Sequence, residues 1–183
     1  MTPAPTTTPP RAVPPAAPPG APAPCAPCAA AGALTGLTRE QFAGLVDRSR
    51  PVWRQRRHEA LARPGRRTPV GSGRKYSLPF EARLFLTVVH ERWEVPYRTL
   101  GALFGVGSQT VQRACRDLRP LLAPLRIDRV ESGPHRSSQR VIAELERAGV
   151  TDRAALLRAV AGRCERCPAP TPPPALSLTG SAV

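Results

Sequence analysis

The sequence predicts a small all-α bundle built around a helix-turn-helix, with disordered, proline-rich termini. Between residues 34 and 163, apolar residues recur three or four positions apart, the spacing that places them on one face of an α-helix. Residues 1–33, in contrast, hold 11 of the 24 prolines, and residues 164–183 are again rich in proline. Segments of that composition bury too little apolar surface to offset the entropy lost on ordering, so we expect both to be disordered.

Two short helices are expected at the start of the ordered region. Thr38, with Gln41 three residues later, has the pattern of a capping box and predicts a helix that ends near Arg48. Pro51 suits the first turn of a second helix, because the N–H group that proline lacks has no partner there in any case. That second helix should stop before Pro64.

A longer helix is predicted over residues 78–94, at the centre of the domain, with Ser77 as its N-cap. Its apolar residues repeat every three or four positions, at Leu78, Ala82, Phe85, Val89 and Trp93. Residues 126–163 are expected to form a short helical hairpin. Gly149 should end the first helix of that hairpin, and Thr151 should cap the second.

Residues 97–122 match a helix-turn-helix position by position. Leu100 and Phe104 should face the core, and Gly101 is small where the two helices would cross. Gly105 can adopt the left-handed backbone conformation of the turn. The inward stripe of the second helix comprises Val111, Cys115, Leu118 and Leu122.

The opposite face of the second helix is polar and predicts a DNA-binding surface. Its candidate DNA-binding residues are Ser108, Gln109, Thr110, Gln112, Arg113 and Arg116. Gln can pair bidentately with adenine and Arg with guanine in the major groove, so Gln109, Gln112 and Arg113 are the candidate base contacts. Ser108 and the helix N-terminus suit a phosphate.

The charge balance also favours double-stranded DNA as the partner. The chain has 27 Lys and Arg against 13 Asp and Glu, a net charge of +14. A flexible basic arm over residues 63–76 supplies four further candidate DNA contacts, Arg66, Arg67, Arg74 and Lys75. The arm is expected to contact phosphates or the minor groove; its alternative interpretation is a solvated linker.

Three segments read in order, 37–42 (LTREQF), 73–75 (GRK) and 100–106 (LGALFGV), resemble the N-terminal helix-turn-helix domain of DDE-superfamily insertion-sequence transposases. The resemblance covers residues 34–125 and departs from the family at Gly107, where a Ser is usual; Ser108 could cap the recognition helix instead. It implies binding to an element's terminal repeats. The family's nuclease, which uses two Asp and one Glu to hold divalent metal, is expected to be missing after Leu125.

The resulting interpretation is a sequence-specific DNA-binding protein without an enzymatic activity, either a truncated transposase or a regulator derived from one. The alternative is a helical adaptor that binds a partner protein through its hairpin. A residual metal-dependent enzyme would need Asp117, Asp128 or a Glu of this chain as metal ligands, and we read Asp128 as a solvated loop residue. The sequence leaves open whether the protein is a homodimer and which DNA site it binds.

Five cysteines without a secretory leader argue against a disulfide framework. Cys25 with Cys28, and Cys164 with Cys167, each show the two-residue gap of zinc ligands. The two pairs are 135 residues apart at the margins of proline-rich segments, so we expect no metal site and no cofactor, although the sequence leaves zinc open. No apolar run is long enough to cross a membrane, and a cytoplasmic protein is expected.

Overall fold

A computed structural model of the chain describes residues 24–62, 78–123, 127, 129–130, 134–162, 164 and 167. These residues form helices and no strand, which confirms the all-α class. The helices are α1 (Ala26–Thr35), α2 (Arg39–Leu61), α3 (Phe80–Trp93), α4 (Tyr97–Phe104), α5 (Ser108–Leu122), α6 (Pro134–Arg147) and α7 (Arg153–Val160). None of the helices in these ranges combines the length and apolarity that a membrane span requires.

Helix α3 is the centre of the bundle, as predicted, and it is buried along most of its length. On one side, Phe85 and Val89 belong to an apolar cluster shared with α1, α4, α5, α6 and α7. On the other side, Leu84 and Val88 belong to a second cluster, shared with α2 and the C-terminal half of α5. The N-cap is Pro79, so the expected capping role of Ser77, which itself lies outside the described residues, is wrong.

Helix α1 corrects the expectation that residues 1–33 are disordered throughout. Residues 1–23 lie outside the described part, but α1 begins at Ala26, and Leu34 in its last turn is fully buried. Gly36 ends the helix in the left-handed conformation, at a φ of 71°. Half of the residues of α1 are alanines, which favour helix but bury little area each, so few large apolar residues mark this helix in the sequence.

Helix α2 is continuous where two helices were expected. The predicted capping box at Thr38 and Gln41 is confirmed by two reciprocal hydrogen bonds, of 3.2 and 2.8 Å. Pro51, however, lies inside the helix instead of opening a new one. Its position is exposed, as is Asp47 four residues earlier, so water can solvate the Asp47 carbonyl that the missing N–H would have bonded.

The hairpin of α6 and α7 forms as predicted, with Gly149 in the left-handed conformation between the helices. The cap of α7 is Asp152 and not Thr151: the Asp152 carboxylate accepts hydrogen bonds from two backbone N–H groups of the first turn, at 2.9 and 3.0 Å. The hairpin packs against the rest of the bundle. Leu145 and Leu156 lie in the same apolar cluster as Phe85 of α3.

Candidate nucleic-acid interface

Helices α4 and α5 form the predicted helix-turn-helix, and two glycines make the geometry feasible. Gly105 ends α4 at a φ of 65°, the left-handed conformation that the turn requires. At Gly101 the backbones approach so closely that a Cβ atom would lie 2.7 Å from the Val106 carbonyl oxygen and 3.1 Å from the Ser108 nitrogen. Both steric roles assigned from the sequence are confirmed.

The inner face of this unit is locked into the core. Leu100 of α4 and Val111 of α5 are fully buried, and the rings of Phe104 and Phe85 pack in a T-shaped arrangement with centroids 5.7 Å apart. Cys115 is fully buried as well, and burial raises the pKa of its thiol to about 11. Cys115 is therefore a neutral core residue at physiological pH, as the apolar stripe predicted.

The outer face of α5 presents the predicted DNA-binding side chains to solvent. Thr110 is half-buried, and the others are exposed: Ser108, Gln109, Gln112, Arg113 and Arg116. The N-cap is Gly107, which has no side chain to bond the first-turn amides, so the expectation that Ser108 could cap the helix is wrong. Backbone N–H groups of the first turn can therefore donate hydrogen bonds to a phosphate oxygen.

The acidic groups beside α5 are held in ion pairs. Asp117 accepts a hydrogen bond of 3.0 Å from Arg83, whose side chain is 2% exposed. Glu91 accepts one of 2.6 Å from Arg119, and this contact raises the pKa of the Arg119 guanidinium. Arg113 makes no ion pair with any residue of the described ranges. Its guanidinium is therefore available to a ligand.

Exposed arginines of α4 and α2 add to the DNA-binding residues predicted on α5 and in the basic arm. Arg98, exposed in the first turn of α4, was not singled out from the sequence, although its position one residue into the helix could have indicated it. Helix α2 exposes Arg54 and Arg56, and it packs through Leu45 on the cluster that contains Leu118 of α5. The predicted contacts of the basic arm, Arg66, Arg67, Arg74 and Lys75, lie outside the described residues, as does Asp128.

The structure brings together four cysteines that the sequence analysis expected to stay apart. The sulfur atoms of Cys25, Cys28, Cys164 and Cys167 all lie within 4.8 Å of one another, and each residue is half-buried. Burial is the main reason why the pKa values of the Cys25 and Cys28 thiols are raised. The sequence could not show this proximity because it depends on α1 packing against α7, and α1 itself was not foreseen.

Comparisons with family models, with curated proteins and with solved structures found no match to this chain. The resemblance of residues 34–125 to the helix-turn-helix domain of DDE-superfamily transposases therefore rests on the residues quoted from the sequence.

Proposed function

We propose that this protein binds double-stranded DNA sequence-specifically, with α5 as the recognition helix in the major groove. The observation that supports this most is the exposed face of α5, which offers two glutamines and two arginines on a helix packed closely against α4 at Gly101. A helix presented in this way fits the width of the major groove.

The exposed side chains divide into two groups, those that contact bases and those that contact phosphates. Gln109, Gln112 and Arg113 read base edges, since their amide and guanidinium groups can make paired hydrogen bonds to adenine and guanine. The first-turn amides with Ser108, together with Arg98 at the start of α4, hold phosphates and so fix the register of the protein on the duplex.

The proposal assigns no catalytic step to this chain. In the transposases that it resembles, residues 34–125 correspond to the domain that binds the terminal repeats of the element, and the metal-dependent nuclease is a different domain. By that resemblance the DNA target would be an element end, and the protein would be a truncated transposase or a regulator derived from one.

The alternative function, a helical adaptor that binds a partner protein through α6 and α7, has less support. Val141, Leu145 and Leu156, which would form the apolar contact surface of such a hairpin, are at most 1% exposed and belong to the main core cluster. Binding a partner through these residues would require the bundle to open.

Selection of bound fragments from random DNA tests the proposal. We expect enrichment of a defined motif by the wild-type protein, and a palindromic motif would show that a dimer binds. Arg113→Ala should relax the preference at one base-pair position and weaken binding to the selected site by about 1–3 kcal/mol. The matched control is Arg140→Ala, which removes the same charge from the exposed surface of α6 and should leave the motif unchanged.

Two results would contradict the proposal. One is the absence of any enriched motif. The other is a loss of affinity in Arg113→Ala that is the same for every duplex, because a residue that reads a base must discriminate between sequences.

A further inference from the structure

The four clustered thiols come from opposite ends of the described chain. Cys25 is the N-cap of α1 and Cys28 lies in its first turn, whereas Cys164 and Cys167 follow the end of α7. Between the two ends, the sulfur atoms of Cys25 and Cys164 are 3.3 Å apart, and the backbone N–H of Cys25 donates to the Cys167 sulfur at 3.5 Å.

This geometry is close to that of a tetrahedral metal site. With a zinc–sulfur distance of about 2.3 Å, the sulfur atoms of a tetrahedral site lie about 3.8 Å apart. In the observed cluster every pair of sulfurs lies within 4.8 Å, which exceeds that spacing by no more than about 1 Å. Both pairs have the two-residue gap found in structural zinc sites, and four thiolates leave no open position for a substrate.

We propose that Cys25, Cys28, Cys164 and Cys167 bind one structural zinc ion that joins the start of α1 to the end of α7. On binding, each of the four thiols gives up its proton to solvent, and the four thiolates with Zn²⁺ carry a net charge of −2. The positive end of the α1 dipole, and the N–H group that Cys25 directs at the Cys167 sulfur, both favour that negative charge.

The ion would stabilise the bundle that presents the recognition helix. Helix α1 is hydrogen-bonded to α3, since the Trp93 indole N–H donates to the Leu34 carbonyl oxygen at 2.7 Å. Helix α7 contacts α4, where Arg153 donates to the Leu103 carbonyl at 3.4 Å. A metal that holds α1 and α7 together therefore supports two elements that position the helix-turn-helix, without lying on its exposed face.

The test begins with the metal content of the full chain, expressed with zinc in the medium and purified under reducing conditions without chelator. Elemental analysis should find one zinc per chain in the wild type and none in the double variant Cys164→Ser/Cys167→Ser. The matched control is Cys115→Ala, which removes the one cysteine outside the cluster and should keep one zinc per chain. Cobalt added to the metal-free wild type should give the absorption bands of tetrahedral thiolate coordination.

Thermal unfolding gives a second readout that needs no variant. Removing zinc from the wild type with a strong chelator should lower Tm, and adding zinc back should restore it. This readout keeps the proposal testable if the double variant fails to fold. Neither measurement involves DNA, so the zinc site and the proposed DNA-binding function can fail independently.

Several outcomes would overturn the zinc proposal. One is that the purified wild-type chain contains no zinc and takes up neither zinc nor cobalt. Others are that it contains stoichiometric iron in place of zinc, or that these four cysteines form disulfides under reducing purification. Zinc retained at one per chain by the double variant would also overturn it.

Discussion

Replacing Gly101 by Ala perturbs the closest contact between the two helices of the DNA-binding unit. The new Cβ would lie 2.7 Å from the Val106 carbonyl oxygen, 3.1 Å from the Ser108 nitrogen and 3.3 Å from the Ser108 Cα. All three atoms belong to the backbone, so no rotation of a side chain can relieve the clash, and α4 must move away from α5.

The expected loss of stability follows from two opposing effects. Overpacking of a well-packed contact costs about 1–3 kcal/mol, whereas alanine gains about 1 kcal/mol over glycine in a helix interior. Because every clashing atom here is backbone, we take the upper half of the overpacking range and expect a net loss of about 1–2 kcal/mol. Urea denaturation followed by circular dichroism measures this change in the free energy of unfolding.

Two other glycines of the same turn provide matched controls. At Gly107 the nearest atom to an added Cβ is the Thr110 hydroxyl, 3.7 Å away, so Gly107→Ala meets no clash and should lose only the N-cap preference of glycine over alanine, about 0.5–1 kcal/mol. At Gly105 nothing lies within 4 Å, and Gly105→Asn should be tolerated because Asn adopts the left-handed conformation more readily than other residues. If Gly101→Ala were as stable as Gly107→Ala, the close helix crossing would be refuted.

Three further substitutions test contacts of the helices that surround the helix-turn-helix. Asp117→Asn removes the carboxylate from Arg83, whose side chain is 2% exposed; the Asp117 side chain is itself 25% exposed, so we expect a loss of about 1–3 kcal/mol. The comparison is Glu144→Gln, which breaks a pair with Arg147, whose side chain is 70% exposed, and should cost less than about 0.5 kcal/mol; equal losses would contradict the interpretation. Trp93→Phe removes the hydrogen bond to the Leu34 carbonyl and should cost about 1–2 kcal/mol in urea denaturation, so an unchanged midpoint would argue against the docking of α1 on α3. The pKa of Asp152 is lowered by its hydrogen bonds to the α7 amides and to Arg158. The stability that the charged carboxylate contributes is therefore present above the pKa that Asp152 has in the unfolded chain, and it is lost as the pH falls through the lower pKa of the folded protein. Tm of Asp152→Ala should lie below that of the wild type at neutral pH and approach it in acid, and a difference that stays constant with pH would contradict this.

The parts of the fold that the sequence predicted are those that local chemistry determines. Gly101 and Gly105 are recognisable because a helix-turn-helix needs a small residue at the crossing and a left-handed residue at the turn, a fixed number of positions apart. The capping box at Thr38 and the apolar repeat of α3 are likewise set by residues three or four positions apart.

The features that the sequence does not predict depend on tertiary contacts. Helix α1 has few large apolar residues, and its stability comes from burying Ala30 and Leu34 against helices that are distant in the chain. Pro51 was read as a helix start, because local rules disfavour proline in a helix interior and take no account of how the flanking turns pack. The thiol cluster was missed for the same reason, since Cys25 and Cys164 meet only once α1 lies against α7.

The central claim, that α5 reads DNA sequence, is tested most directly by the affinity for a selected site relative to a scrambled duplex, measured by fluorescence anisotropy over a range of salt concentrations. We predict that the affinity for both duplexes falls linearly on a log–log plot against salt, and that the selected site binds at least about 10³-fold more tightly. Arg113→Ala should reduce this ratio, and Arg140→Ala should preserve it. Equal affinity of the wild type for both duplexes, or no salt-dependent binding, would contradict the claim.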